Sequence, residues 1–218
     1  MSATKIIDRH LAALRSAARP IVPEDDIFRA FEKVRVELWE VGLLADGKYL
    51  DRIDCHRAML PTFESHFGYV YDERTPWLHK LLGFRAGDIY VPLNAPVRPR
   101  TPGSTLLDTV RHEFGHSWAW LDRSFVDGPW FREAFGGSYD DDWGAAPDFD
   151  ADDHVSPYAC NVRPAEDFCE TFMTFLRCRR SLHRFDARRG VRRKLRAVAR
   201  AVATAAKTRV PSVRGPRR

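Results

Sequence analysis

His112, Glu113 and His116 lie within the run Ser104 to Asp122, STLLDTVRHEFGHSWAWLD, and their types and spacing suit hydrolytic metal chemistry. Read as a helix at about 100° per residue, two imidazoles four positions apart point the same way from successive turns and can share one metal ion. Glu113 then sits beside them as a general base for water. Leu106, Leu107, Val110, Phe114, Ser117, Trp118 and Leu121 fall on the other arc, the face such a helix turns to a core. The turn Thr101-Pro102-Gly103-Ser104 supplies caps at the expected start. HExxH also arises by chance, and two surface histidines need no metal. The amphipathic phase and the mid-helix position favour the metal.

Two imidazoles make an incomplete site, because catalytic zinc keeps three protein ligands and one open position. Residues 164 to 180, PAEDFCETFMTFLRCRR, read as a helix with Pro164, Glu166 and Asp167 in the first turn and Arg177, Arg179 and Arg180 at the end. Glu166 and Glu170, one turn apart and opposite an apolar face of Phe168, Phe172, Phe175 and Leu176, are a source for the missing ligand; a solvated acidic face is the plainer alternative. A different layout, HExxHxxGxxH or its aspartate variant, places the third ligand at Asp122. It needs a glycine where this chain has Ala119, so the helix has no reason to turn back there. A GTxD element for an aspartate ligand is not present.

These helices need a scaffold, and a chain of 218 residues, 44% hydrophobic and 30% charged, has the material for one sizeable core. Pro23 with Glu24, Asp25 and Asp26 opens a helix carrying Ile27, Phe28, Phe31, Val34, Leu38 and Trp39, after a shorter N-terminal helix over 3–18. Phe67 to Tyr71 and Gly87 to Leu93 read as strands, the second placed at a sheet edge or ended there by Pro92. An edge strand in that position could pair with an extended peptide. Gly128 to Tyr139 and the aspartates from Asp140 to Asp153 read as loops along one wall of a cleft; Asp148, Asp150 and Asp152 lack the glycine and distal glutamate of a calcium loop. His56, His66 and His79 have no ligand spacing and read as structural or surface histidines. The four cysteines form no CxxC pair and are expected as buried free thiols.

The net charge of +5 hides an asymmetry, with 20 basic and 29 acidic residues over 1–178 but 15 basic and one acidic over 179–218. The expected organisation is an N-terminal helix over 1–22, a catalytic domain over 23–185 and a basic helical or disordered tail over 186–218. That tail could dock nucleic acid, although it has no interleaved aromatics for base stacking. No run approaches the roughly 18 apolar residues of a membrane span, and the N-terminus is too charged for a signal peptide, so a cytoplasmic address is expected.

HEFGH followed some fifty residues later by SPYACNVRPAEDFCETF resembles the bacterial zinc-binding metallopeptidase family, gluzincin-like, and more distantly the lethal-factor-type toxin metalloproteases. The resemblance covers roughly residues 87 to 180 and rests on Tyr158, Asn161, Pro164, Glu166, Phe168, Glu170 and Phe172 after the histidines. It implies an α+β zincin fold with a small mixed sheet, the HExxH helix and a second, glutamate-bearing helix. It also implies Zn²⁺ held by His112, His116 and Glu166, with Glu113 as general base and Glu170 as a supporting residue. Tyr158 is the corresponding candidate for stabilising an oxyanion. The function so implied is hydrolysis of a peptide or protein substrate. The alternatives are a nucleic-acid-associated binding protein and a zinc-retaining pseudoenzyme.

Overall fold

The computed structural model of this chain describes residues 23–44, 52–58, 69–70, 85, 87–92, 105–141, 150–161 and 163–207. The expected N-terminal helix, His66 and His79 lie outside them. Helix α1, Glu24–Glu40, begins after Pro23 with three acids in its first turn, which complements the positive end of the helix dipole. It buries Ile27, Ala30, Phe31, Val34 and Leu38 at helical spacing. It ends before Gly42, whose φ of 81° a side chain rarely adopts and whose Cβ, if present, would stand 2.8 Å from Ala206 Cβ.

Three short strands follow: β1 (Cys55–Ala58), β2 (Tyr69–Val70) and β3 (Ile89–Pro92). Their order is β1-β3-β2, with β1 parallel to β3 (Cys55↔Ile89) and β2 antiparallel to it (Val70↔Ile89). Of the two expectations for this strand, the edge position is overturned, since it is the central one, and its ending at Pro92 holds. Pro92 is its last residue, which lets the ladder form on both sides before the missing N–H matters. With both sides of β3 paired, it offers no free edge to a peptide.

Helix α2, Leu106–Leu121, carries the histidines and starts with a capping box between Thr105 and Asp108, one residue after the expected turn. Ala119 is buried within its last turn, and Asp122 follows it as the cap of the one-turn helix α3, Arg123–Val126, accepting from the Ser124 N–H at 3.2 Å. Helix α4, Pro129–Phe135, replaces part of the expected loop. Proline at its start and Gly136 in the left-handed conformation at its end read as loop signals in sequence, yet here they bound a helix. Its Phe131 and Phe135 are buried with Trp118, Phe168 and Phe172 in an aromatic core, where Trp118 stacks on Phe125 at 4.2 Å.

After the short helix α5, Pro157–Asn161, helix α6, Pro164–Cys178, packs lengthwise on α2. Gly115 makes that approach close, since a Cβ there would meet Cys169 Sγ at 3.1 Å and Cys169 Cα at 3.2 Å. Arg111 bridges Glu37 of α1 (2.6 Å) and Asp108 (2.7 Å), and Arg177 of α6 reaches the same Asp108 at 3.3 Å, so the Arg111–Asp108 pair of α2 ties three helices.

A 3₁₀ turn, Leu182–Phe185, leads to α7, Arg189–Lys207. The segment expected as an appended basic tail from 186 is thus, up to Lys207, part of the core. Val191, Leu195, Val198 and Val202 are buried at helical spacing, because the apolar residues between the arginines fall on one stripe. Lys194 is buried with them, donating to Asp167 at 2.7 Å and to Asp153 at 2.9 Å. Asp153, expected in a solvated acidic loop, is one of its partners. All four cysteines are buried free thiols, as expected. At the coarse level the architecture is α+β: helices around a small mixed sheet. Among the described residues no helix is long and apolar enough to cross a membrane.

Candidate metal centre

Close packing of α2 on α6 brings the two carboxylates of α6 onto the two histidines of α2. His112 Nε2 and His116 Nε2 are 3.2 Å apart. Glu166 presents Oε2 to His112 Nε2 at 3.0 Å and Oε1 to His116 Nε2 at 3.4 Å. Ligand atoms about 2.0–2.1 Å from a tetrahedral zinc ion stand about 3.3–3.4 Å apart; the two Nε2 atoms are close to that separation, and each oxygen of Glu166 lies at a similar distance from one of them.

The other ring nitrogens decide what these three groups can hold. His112 Nδ1 lies 3.0 Å from Glu170 Oε1, and Glu170 Oε2 accepts from the Ser156 hydroxyl at 2.6 Å. His116 Nδ1 lies 2.7 Å from the Tyr139 hydroxyl, and the Cys169 thiol is near enough to that hydroxyl to shift its pKa. An Nδ1–H donated on each ring leaves two Nε2 lone pairs and a carboxylate for a metal ion; with no metal bound, burial works against a charge on His112 but Glu166 and Glu170 raise its pKa well above the ordinary value, so the imidazolium itself lies between the two carboxylates. Burial raises the Glu166 carboxyl, but the two imidazoles outweigh it and hold the group well below the usual carboxylate range. Glu170 is lowered in the same way, burial being outweighed by its bonds to His112 and Ser156. Both are acceptors at neutral pH.

Cys169 Sγ is also within 4.8 Å of the histidine nitrogens and competes for the third position. Burial and the charges of Glu166 and Glu113 push its thiol well above the ordinary value. A zinc-binding sulfur must be deprotonated, which a bound metal can itself bring about; Glu166 is ionised already, so both it and Cys169 stand as candidates for the third position.

Glu113 is buried on the same helix, close enough for its charge to help raise Tyr158 and Cys169. Tyr158, on α5, is 41% exposed with its ring 5.9 Å from that of His112. Burial of its hydroxyl end, with Glu166, Glu113 and Glu170 around it, raises the phenol's pKa and keeps it a neutral O–H donor. The Ala159 N–H in α5 bonds to the Ser156 hydroxyl at 3.1 Å, so the group that supports Glu170 also anchors the helix carrying Tyr158.

All six site residues expected from sequence therefore meet in one place, while Asp122 caps α3. Tyr139, Ser156 and Cys169 escaped the sequence reading; the one available signal was Cys169 following Glu166 at i+3 on the same helix. His56 sits apart at β1, 3.0 Å from the buried Asp88, in a network with Asp54 that Arg85 joins. Known protein families, curated proteins and solved structures were all compared with this chain, and none matches it.

Proposed function

We propose that this protein is a zinc-dependent metallopeptidase of the gluzincin kind, with His112, His116 and Glu166 holding the metal. The observation that carries the reading is the convergence of two Nε2 atoms and an ionised carboxylate at 3.0–3.4 Å, each histidine being fixed from behind by a separate acceptor. Bound there, Zn²⁺ would supply a Lewis acid that polarises a carbonyl and acidifies water.

The remaining work belongs to the chain's own side chains. Glu113 accepts the proton of the attacking water and returns it to the leaving amine as the peptide C–N bond breaks. Tyr158, a neutral phenol at the half-exposed side of the cluster, donates its O–H toward the oxygen on which negative charge develops. Glu170 and Tyr139 hold the two imidazoles in the tautomer that keeps Nε2 available.

The test is zinc analysis of the purified chain together with cleavage of a peptide library, with and without a chelator, for the parent and Glu113→Gln. The glutamine is nearly isosteric and cannot take up the proton, so zinc should be retained while cleavage falls by about two to four orders of magnitude. Parent-level cleavage by Glu113→Gln, or a parent that binds no zinc, would sink the proposal.

A further inference from the structure

A cavity of about 620 Å³ lies on the other side of the aromatic core, between α7 and the α3–α4 segment. Such a volume is in the range of small-ligand and short-peptide sites. One wall is α7, which presents Arg189, Arg192, Arg196 and Arg200. Arg193, which also lines the cavity, pairs with Asp153, and elsewhere Arg111 pairs with Glu37, Arg123 with Asp127 and Asp140, and Arg177 with Asp108. No ion pair among the described residues involves Arg189, Arg192, Arg196 or Arg200. Guanidinium groups gathered on a concave surface, outnumbering its two carboxylates, Asp122 and Glu133, are placed to receive a ligand's anions by bidentate hydrogen bonds.

Their spacing narrows the ligand. Arg192, Arg196 and Arg200 follow one another at one-turn intervals, about 6 Å along the helix axis per step. Side chains on one face of an extended peptide recur at about 6.6–6.8 Å, so acids at alternate positions can meet these arginines one for one. The apolar parts of the lining, Phe125 and Trp130 from the opposite segment and Ala197 and Ala201 from α7, suit the peptide's other face. A single nucleic-acid strand has a similar phosphate repeat. Against it stands Glu133, which also lines the cavity and can accept from a peptide's N–H groups, donors that a phosphodiester backbone lacks.

We propose that this cavity docks an extended acidic peptide segment in which carboxylate and apolar side chains alternate. The site is separate from the metal cluster, and binding there does not depend on hydrolysis.

The test is fluorescence anisotropy on the full chain in the presence of chelator, with three labelled probes: a peptide of alternating Glu and Leu, the same peptide with Ser for Leu, and a single-stranded oligonucleotide of similar length. The alternating peptide should bind best, and more weakly as salt rises. Replacing Arg192, Arg196 and Arg200 together by Ala should reduce its affinity by about tenfold or more, as expected for losing three partly exposed charge-assisted contacts. Arg196→Glu alone, on an exposed side chain, should weaken binding in the same direction and keeps the test valid if the triple variant folds poorly. The proposal is overturned if the oligonucleotide binds more tightly than the alternating peptide, if no peptide binds, or if the arginine variants bind it like the parent.

Discussion

The two ring nitrogens of His112 face two different carboxylates, and the consequences of removing each should differ accordingly. Glu166→Ala takes away a carboxylate that meets both Nε2 atoms and should release zinc at neutral pH, leaving two imidazoles as an incomplete set. Glu170→Ala removes the acceptor behind His112 and should weaken zinc affinity by about 10 to 100-fold without emptying the site, and Tyr139→Phe should do the same through His116. Asp122→Ala should leave zinc binding unchanged, since that carboxylate caps α3. Competition against a chromogenic chelator reads all four; zinc kept by Glu166→Ala and lost from Asp122→Ala would overturn the ligand set. At this scale the histidines and Glu113 were legible because their spacing is local, while choosing between Glu166 and Glu170 needed the resemblance of the second motif. Tyr139 was not legible, since it reaches His116 across 23 residues of chain that follow no single periodicity.

Helix contacts set those distances, and the contact that matters most for the metal centre is between α2 and α6 at Gly115. Alanine there should gain about 0.5–1 kcal/mol of local helix preference over glycine. Its Cβ, however, would meet Cys169 Sγ at 3.1 Å and Phe172 Cδ1 at 3.3 Å, closer than ordinary packing, so α6 must give by a few tenths of an ångström. Because Glu166 rides on α6, the expected result for Gly115→Ala is near-parental thermal stability with weaker zinc binding. Parental zinc affinity would show that the approach of the two helices does not govern the site. Helices α1, α2 and α6 were legible from their 3.6-residue periodicity and, for α1 and α6, acidic first turns, whereas α4 read as a loop because proline and glycine bound it. The sheet was not: β3 pairs with a strand more than thirty residues earlier, and nothing local marks a central strand that ends in proline. The same limit applies to α7, where the arginines dominate the composition and hide the stripe of Val191, Leu195, Val198 and Val202 that places it in the core.

For the molecule as a whole, charge and metal act on stability in separable ways. Lys194 is buried between Asp153 and Asp167, joining α7 to the start of α6. Burial raises the Asp167 carboxyl despite the lysine beside it, whereas Asp153 is held below its ordinary value because the bond and charge of Lys194 outweigh its burial. Lys194→Met leaves the buried Asp167 without its lysine, while Asp153 keeps Arg193, a loss of about 3–5 kcal/mol by analogy with broken buried ion pairs. Zinc adds stability by a different route, through mass action on the folded state. At a hundredfold excess over its dissociation constant it should contribute about 2.7 kcal/mol, or roughly 5–10 °C in melting temperature for a chain of this size. Thermal melts of three proteins with and without zinc distinguish the two effects. The parent should show the upward shift; Lys194→Met should melt lower but keep a comparable shift; Glu166→Ala should start near the parent and show almost none. If Lys194→Met loses the shift as fully as Glu166→Ala does, the buried pair and the metal centre form one cooperative element, and the separation of core from site argued from these contacts fails.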